Sequence, residues 1–203
     1  MNKWIVPLFA VLAALLAGIF TYDSLPAEMA VHFNAADEPD NYISKPIALL
    51  VNPVIILFVT WSTFFTLRFE KDENKRAKGE ATLPSVAGVV SLLLLAVQGA
   101  IIAYNLGYDI SASAFAAFIV GSVFLLIGNL LPRMPQGTAS WPKLSETAHR
   151  ELARFQGRIM VIAGFLLIAA SFLPKAYISP ILFTLLACFI IATAGKLIGI
   201  VRK

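Results

Sequence analysis

Six long apolar runs, separated by polar segments of unequal length, organise this chain. They extend approximately from Trp4 to Tyr22, Pro46 to Leu67, Leu83 to Tyr104, Ala112 to Leu131, Gly157 to Leu173 and Ile178 to Ile198. Each approaches the roughly twenty residues needed to cross about 30 Å of hydrocarbon. Unbroken stretches such as VVSLLLLAV and FLLIAASFL predict helices, because a barrel strand would alternate apolar with polar side chains. The fifth run is short, but SETAHRELARFQGR before it has helical periodicity, so one helix is expected to pass through both. Pro7, Pro53 and Pro180 lie within or at the start of these runs, where neighbouring helices can satisfy the carbonyls they free. The expected fold is an all-α integral membrane protein, a bundle of about six transmembrane helices forming a single membrane domain over residues 1–203.

The polar segment 23–45 breaks the helical pattern. It is longer than a turn requires, which predicts a small structured cap between the first two helices. Within it Met29, Val31 and Phe33 alternate with Ala30, His32 and Asn34, the period of an extended strand. One face would rest on the membrane protein. The other would present His32 and Asn34 toward Asp37, Glu38, Pro39, Asp40 and Asn41, which have the chemistry of a turn. His32, Asn34 and Asp40 either hydrogen-bond one another to hold the loop or, with Pro39 and Lys45, form a recognition surface.

Two further polar segments, 68–82 and 132–156, alternate with the cap. EKDENKRAKGE in the first is expected to prolong the second span as a solvated helix, with Glu70, Lys71, Asp72 and Lys75 as neighbouring pairs. The second ends in an amphipathic helix. Arg150, Arg154 and Arg158 recur every four residues, while Leu144, Ala148, Leu152 and Phe155 fall on the apolar side. Ser145 is the expected N-cap and Glu146 can pair with Arg150. The arginine stripe would lie at headgroup level against anionic lipid, or meet an acidic cytosolic partner. Asn105 to Ser111 and Pro174 to Tyr177 are short, so the helices they join should be antiparallel neighbours.

Composition agrees with a membrane assignment: 59% hydrophobic and 14% charged residues, with a mean hydropathy of +0.80. Cationic residues set the orientation. With Lys3 cytoplasmic, fourteen of the sixteen lysines and arginines fall inside and only Lys45 and Lys175 outside. Both termini are therefore expected in the cytoplasm, with 23–45 as an extracellular cap and 68–82 and 132–156 as cytoplasmic loops. The net charge of +4 is then a topology signal that requires no nucleic acid. The first run is expected to be retained, since Ala17 to Thr21 offers no convincing signal-peptide cleavage site.

No acidic residue lies deep in any run, which argues against an ion-coupled pump. Asn52, Gln98 and Asn129 are expected to make interhelical hydrogen bonds; alternatively they line the polar path of a small transporter or lipid-handling protein. No nucleophile, base and orienter fall together on one side, so an enzyme is not expected. Neither is a cofactor or metal, since His32 and His149 lie on opposite sides and Asp37, Glu38 and Asp40 lack an EF-hand pattern. Cys188, the sole cysteine, has no internal disulfide partner.

Leu25, Pro26, His32, Asn34, Pro39, Asp40, Ser44, Lys45 and Pro46 resemble, in register, the outer loop of the SdpI-type bacterial membrane proteins. That loop reads approximately Leu-Pro, a gap, His-x-Asn, Pro-Asp and Ser-Lys-Pro. A departure is Asp37, where the family usually has glycine. A second signature is similar in Gly128, Asn129, Pro132, Trp141, Ser145, Glu146, Arg150, Gly157 and Arg158. Its asparagine and Gly-Ile-Arg stretch are missing between Pro135 and Trp141, its helix tryptophan aligns with His149, and its Thr-His pair with Leu152 and Ala153. The resemblance implies immunity to a secreted peptide toxin, recognised through the outer cap. In the best-known member it also implies capture of a soluble transcriptional repressor at the cytoplasmic face, where this sequence departs most from the family; the candidate interface there is Asn129, Trp141, Glu146, Arg150, Arg154 and Arg158. The oligomeric state stays open.

Overall fold

The computed structural model describes residues 4–134 and 144–202. Among the described residues six helices are long and apolar enough to cross a membrane: α1 (Ile5–Thr21), α2 (Lys45–Phe69), α3 (Glu73–Asn105), α4 (Ala112–Leu130), α5 (Glu146–Ala170) and α6 (Lys175–Val201). Between α1 and α2 lies the cap, an antiparallel hairpin of β1 (Glu28–Phe33) and β2 (Pro39–Ser44). The chain divides into two compact units, Met1–Ala112 and Ser113–Lys203.

In the first unit α1, α2 and α3 close on Ala10, Val11 and Ile56, with Leu94 and Leu95 of α3 packed against them. A second cluster seats the hairpin: Leu25, Met29, Ala48, Leu49 and Ile102 are buried together, with Val31 and Ile43 against them. Mid-span, Pro53 cannot donate to the Leu49 carbonyl four residues back. Gln98 of α3 supplies that bond from its side-chain amide, 3.4 Å away, and accepts one from Asn52 Nδ2 at 3.0 Å. Both amides are buried, so the proline's freed carbonyl is satisfied by a neighbouring helix as expected.

The polar segment after α2 behaves differently from the sequence expectation. It prolongs α3 rather than α2, because Asp72 acts as an N-cap, accepting from the backbone N–H groups of Asn74 and Lys75. The side-chain pair it carries is Arg76 with Glu80 at 2.9 Å.

The second unit packs α4, α5 and α6 around Phe124, Met160 and Ala163, with Leu186 and Phe189 of α6 against them. α5 runs unbroken from the amphipathic segment into the apolar one, N-capped by Ser145, whose hydroxyl accepts from the Ala148 N–H. Against α4 it approaches at backbone distance. A Cβ on Gly121 would lie 2.8 Å from the Gly164 carbonyl oxygen, and one on Gly128 would lie 2.8 Å from that of Gly157. The matched spacing of seven residues on both helices makes this an antiparallel contact that only residues without side chains permit.

Candidate functional site

The hairpin is built from its inner face outward. Met29, Val31 and Phe33 turn toward the helices as the period of two requires, and Phe33 meets Tyr104 edge-on with centroids 4.6 Å apart. Ala30 breaks the alternation because it too is buried. Asn105, the last residue of α3, explains this: its Oδ1 accepts from the Ala30 N–H at 2.9 Å and its Nδ2 donates to the Ala30 carbonyl at 3.0 Å. One side chain thus serves as a one-residue strand partner for β1. Gly107, with φ of 91°, ends α3 just beyond and fixes where Asn105 sits.

The turn is narrower than the sequence suggested. Asn34 closes it: its Oδ1 accepts from the N–H groups of Ala36 and Glu38, and its own N–H donates to the Glu38 carbonyl. The chain is therefore already returning at Pro39, which pairs with Phe33, so Pro39, Asp40 and Asn41 belong to β2 and not to the turn. Asp37 carries the reversal with φ of 69°. This is the left-handed conformation that glycine adopts freely and other residues adopt at a cost.

His32 and Asp40 face each other across the two strands, with His32 Nδ1 2.5 Å from Asp40 Oδ1. Both are solvent-accessible, the side chains 66% and 41% exposed. Lys45 behaves quite differently from a surface ligand. Its Nζ turns back beneath the hairpin and donates to the carbonyls of Tyr22 and Leu25, each at 2.9 Å, while lying 4.4 Å from the Tyr22 ring centroid. It satisfies carbonyls left at the end of the first span, where a cation is favoured. Asp23, Glu28, Glu38 and Asp40 are exposed, so the outward surface of the cap is acidic.

The second set of candidate residues lies in the other unit. Glu146 and Arg150 form the expected ion pair, and Arg150, Arg154 and Arg158 share the exposed side of α5. The buried side is Ala153, Gly157 and Met160 rather than the half-buried Leu152 and Phe155. Asn129 is exposed, which corrects the expectation that it hydrogen-bonds inside the bundle: Gly128 takes the position facing α5 and turns its neighbour outward. Gly128, Pro132 and Gly157 meet directly, so this part of the second signature is a packing contact. Trp141 lies outside the described residues.

Fold and cap together define a multi-pass helical membrane protein whose first unit carries a strand hairpin locked to the end of its third helix. A family described as a domain of unknown function (DUF1648) matches residues 9–57, which take in most of α1, the hairpin and the first half of α2. Immunity protein SdpI of Bacillus subtilis (strain 168) is 26% identical over 202 residues, covering 97% of this chain and 95% of that protein. The uncharacterized membrane protein YbgB of the same organism is 30% identical over 60 residues, covering 30% of this chain and 66% of that protein. No solved structure gives a significant match. Over nearly its whole length the chain is therefore similar to an SdpI-type membrane protein.

Proposed function

We propose that this chain protects its cell from a secreted antimicrobial peptide, or senses one, by engaging it at the hairpin cap on the outer face of the cytoplasmic membrane. The observation that carries this reading is the charge of the cap. Its carboxylates Asp23, Glu28, Glu38 and Asp40 point outward, while its single lysine is folded beneath. Such a surface attracts a cationic peptide through a field that salt screens over about 8–10 Å. The rigid seat of the hairpin, fixed by Asn105 and Lys45, lowers the ordering cost of binding. The name and near full-length similarity of the immunity protein support the same activity, and the bias of cationic residues supports both termini in the cytoplasm.

A sensing role would use the opposite side, with Asn129, Trp141, Glu146 and Arg150 as the surface for a soluble repressor. The alternative of a polar transport path draws little support from Asn52 and Gln98, whose amides are spent on each other and on the Leu49 carbonyl.

The test is a deletion strain challenged with the small peptides encoded beside the gene. Restoring the gene should restore survival; restoring Glu38→Gln/Asp40→Asn at equal membrane levels should not. Unchanged sensitivity of the deletion strain to every such peptide would remove the immunity reading.

A further inference from the structure

The arginines of α5 do not stand on an open helix face: they form one wall of a groove. Its volume is about 470 Å³, and Arg150, Glu151, Arg154, Phe155, Arg158 and Lys196 line it, the last from α6. The carboxylate that lines the groove, Glu151, and the neighbouring Glu146 are already matched. Glu146 pairs with Arg150, and Glu151 with Lys196, whose Nζ also lies 5.8 Å from the Phe155 ring centroid. Arg154 and Arg158 have no acidic partner among the described residues, so the groove keeps two uncompensated guanidinium groups one helical turn apart. Such a pair suits a phosphate, which accepts the paired N–H groups of a guanidinium.

The same face of α5 changes character immediately beyond them. Exposed positions continue from Arg154 and Arg158 to Ile162, Phe165 and Ala169, with Ile162 59% and Phe165 63% exposed. Two cations followed by an apolar strip along one helix face match a molecule with an anionic head and a hydrocarbon tail. Arg158 is also the last charged residue before the apolar run that crosses the membrane, which sets the groove at headgroup depth.

We infer that the groove between α5 and α6 is a binding site for the phosphate headgroup of an anionic phospholipid, with Arg154 and Arg158 holding the phosphate and Ile162 and Phe165 carrying an acyl chain. An acidic protein segment would use the arginines but would leave the apolar continuation without a purpose.

Native mass spectrometry of the full chain, delipidated in neutral detergent, tests this with dioctanoyl phosphatidylglycerol, dioctanoyl phosphatidylcholine and inorganic phosphate as probes. Phosphatidylglycerol should bind at least about tenfold more tightly than phosphatidylcholine. Arg154→Gln/Arg158→Gln should weaken it by about tenfold or more, the loss of charge-assisted hydrogen bonds. Arg154→Lys/Arg158→Lys, which keeps the charge and guards against a folding artefact, should fall between. Ile162→Ser/Phe165→Ser should weaken the lipid but not phosphate. Equal binding of the two lipids, or undiminished binding by the glutamine variant, would overturn the site. Inorganic phosphate binding as tightly as phosphatidylglycerol, or an acidic peptide displacing the lipid at lower concentration, would overturn its assignment to lipid.

Discussion

Gln98 donates to the carbonyl of Leu49, the oxygen that Pro53 leaves without its helical partner. Gln98→Leu should therefore strand a buried acceptor and lower stability by about 1–3 kcal/mol. Pro53→Ala supplies a backbone N–H to the same oxygen, so it should cost less in the Gln98→Leu background than in the parent. Thermal denaturation of the four proteins in detergent closes this cycle. Strictly additive losses would mean that the two residues act independently.

Asn105 holds the hairpin through both polar groups of Ala30. Asn105→Ala should leave the six helices intact but speed hydrogen exchange at the Ala30 N–H and along β1. Asn105→Asp can still accept from that N–H but cannot donate to the carbonyl, so its exchange should be intermediate. Exchange in β1 that is unaffected by Asn105→Ala would show that the apolar seat alone holds the strand.

The reversal at Asp37 makes a conformational demand that can be measured directly. Asp37→Val should cost about 1–2 kcal/mol, since a β-branched residue resists positive φ. Asp37→Gly should be tolerated within about 1 kcal/mol, relief of the backbone being offset by a more flexible unfolded chain. Melting temperatures of the two variants in one detergent give the order; a valine variant as stable as the glycine one would contradict the turn geometry.

At the α4–α5 contact, Gly128→Ala or Gly157→Ala would place a methyl group against backbone, 2.8 Å and 2.5 Å from a carbonyl oxygen respectively. Each should destabilise by about 1–3 kcal/mol through forced separation of the helices. Gly99→Ala is the contrasting case, because nothing lies within 4 Å of its added methyl, and helix propensity should make it neutral or stabilising by up to about 1 kcal/mol. The ranking can be read from thermal unfolding of the three variants.

Apolar run length made the six helices legible in the sequence, and the alternation Met29, Val31, Phe33 marked β1, because both patterns record which face meets solvent or lipid. Ser145 and the Glu146–Arg150 spacing were equally readable, being local to one helical turn. What escaped depended on partners distant in sequence. Asn105 is an ordinary helix-terminal asparagine until Ala30, 75 residues away, is brought against it. Lys45 passed for a surface cation because the carbonyls it holds belong to the preceding span. Asp72 divided α2 from α3 through two backbone bonds that charge density alone does not reveal.

The attachment of the hairpin to α3 has a mechanical consequence. That helix has 33 residues and so extends about 50 Å, from the strand it grips at Asn105 to the charged turns that follow Asp72. A load applied to β1 would pass into one continuous helix rather than dissipate in a loop. Displacement at the tip would then arrive at the far end as a movement of Arg76 and Glu80.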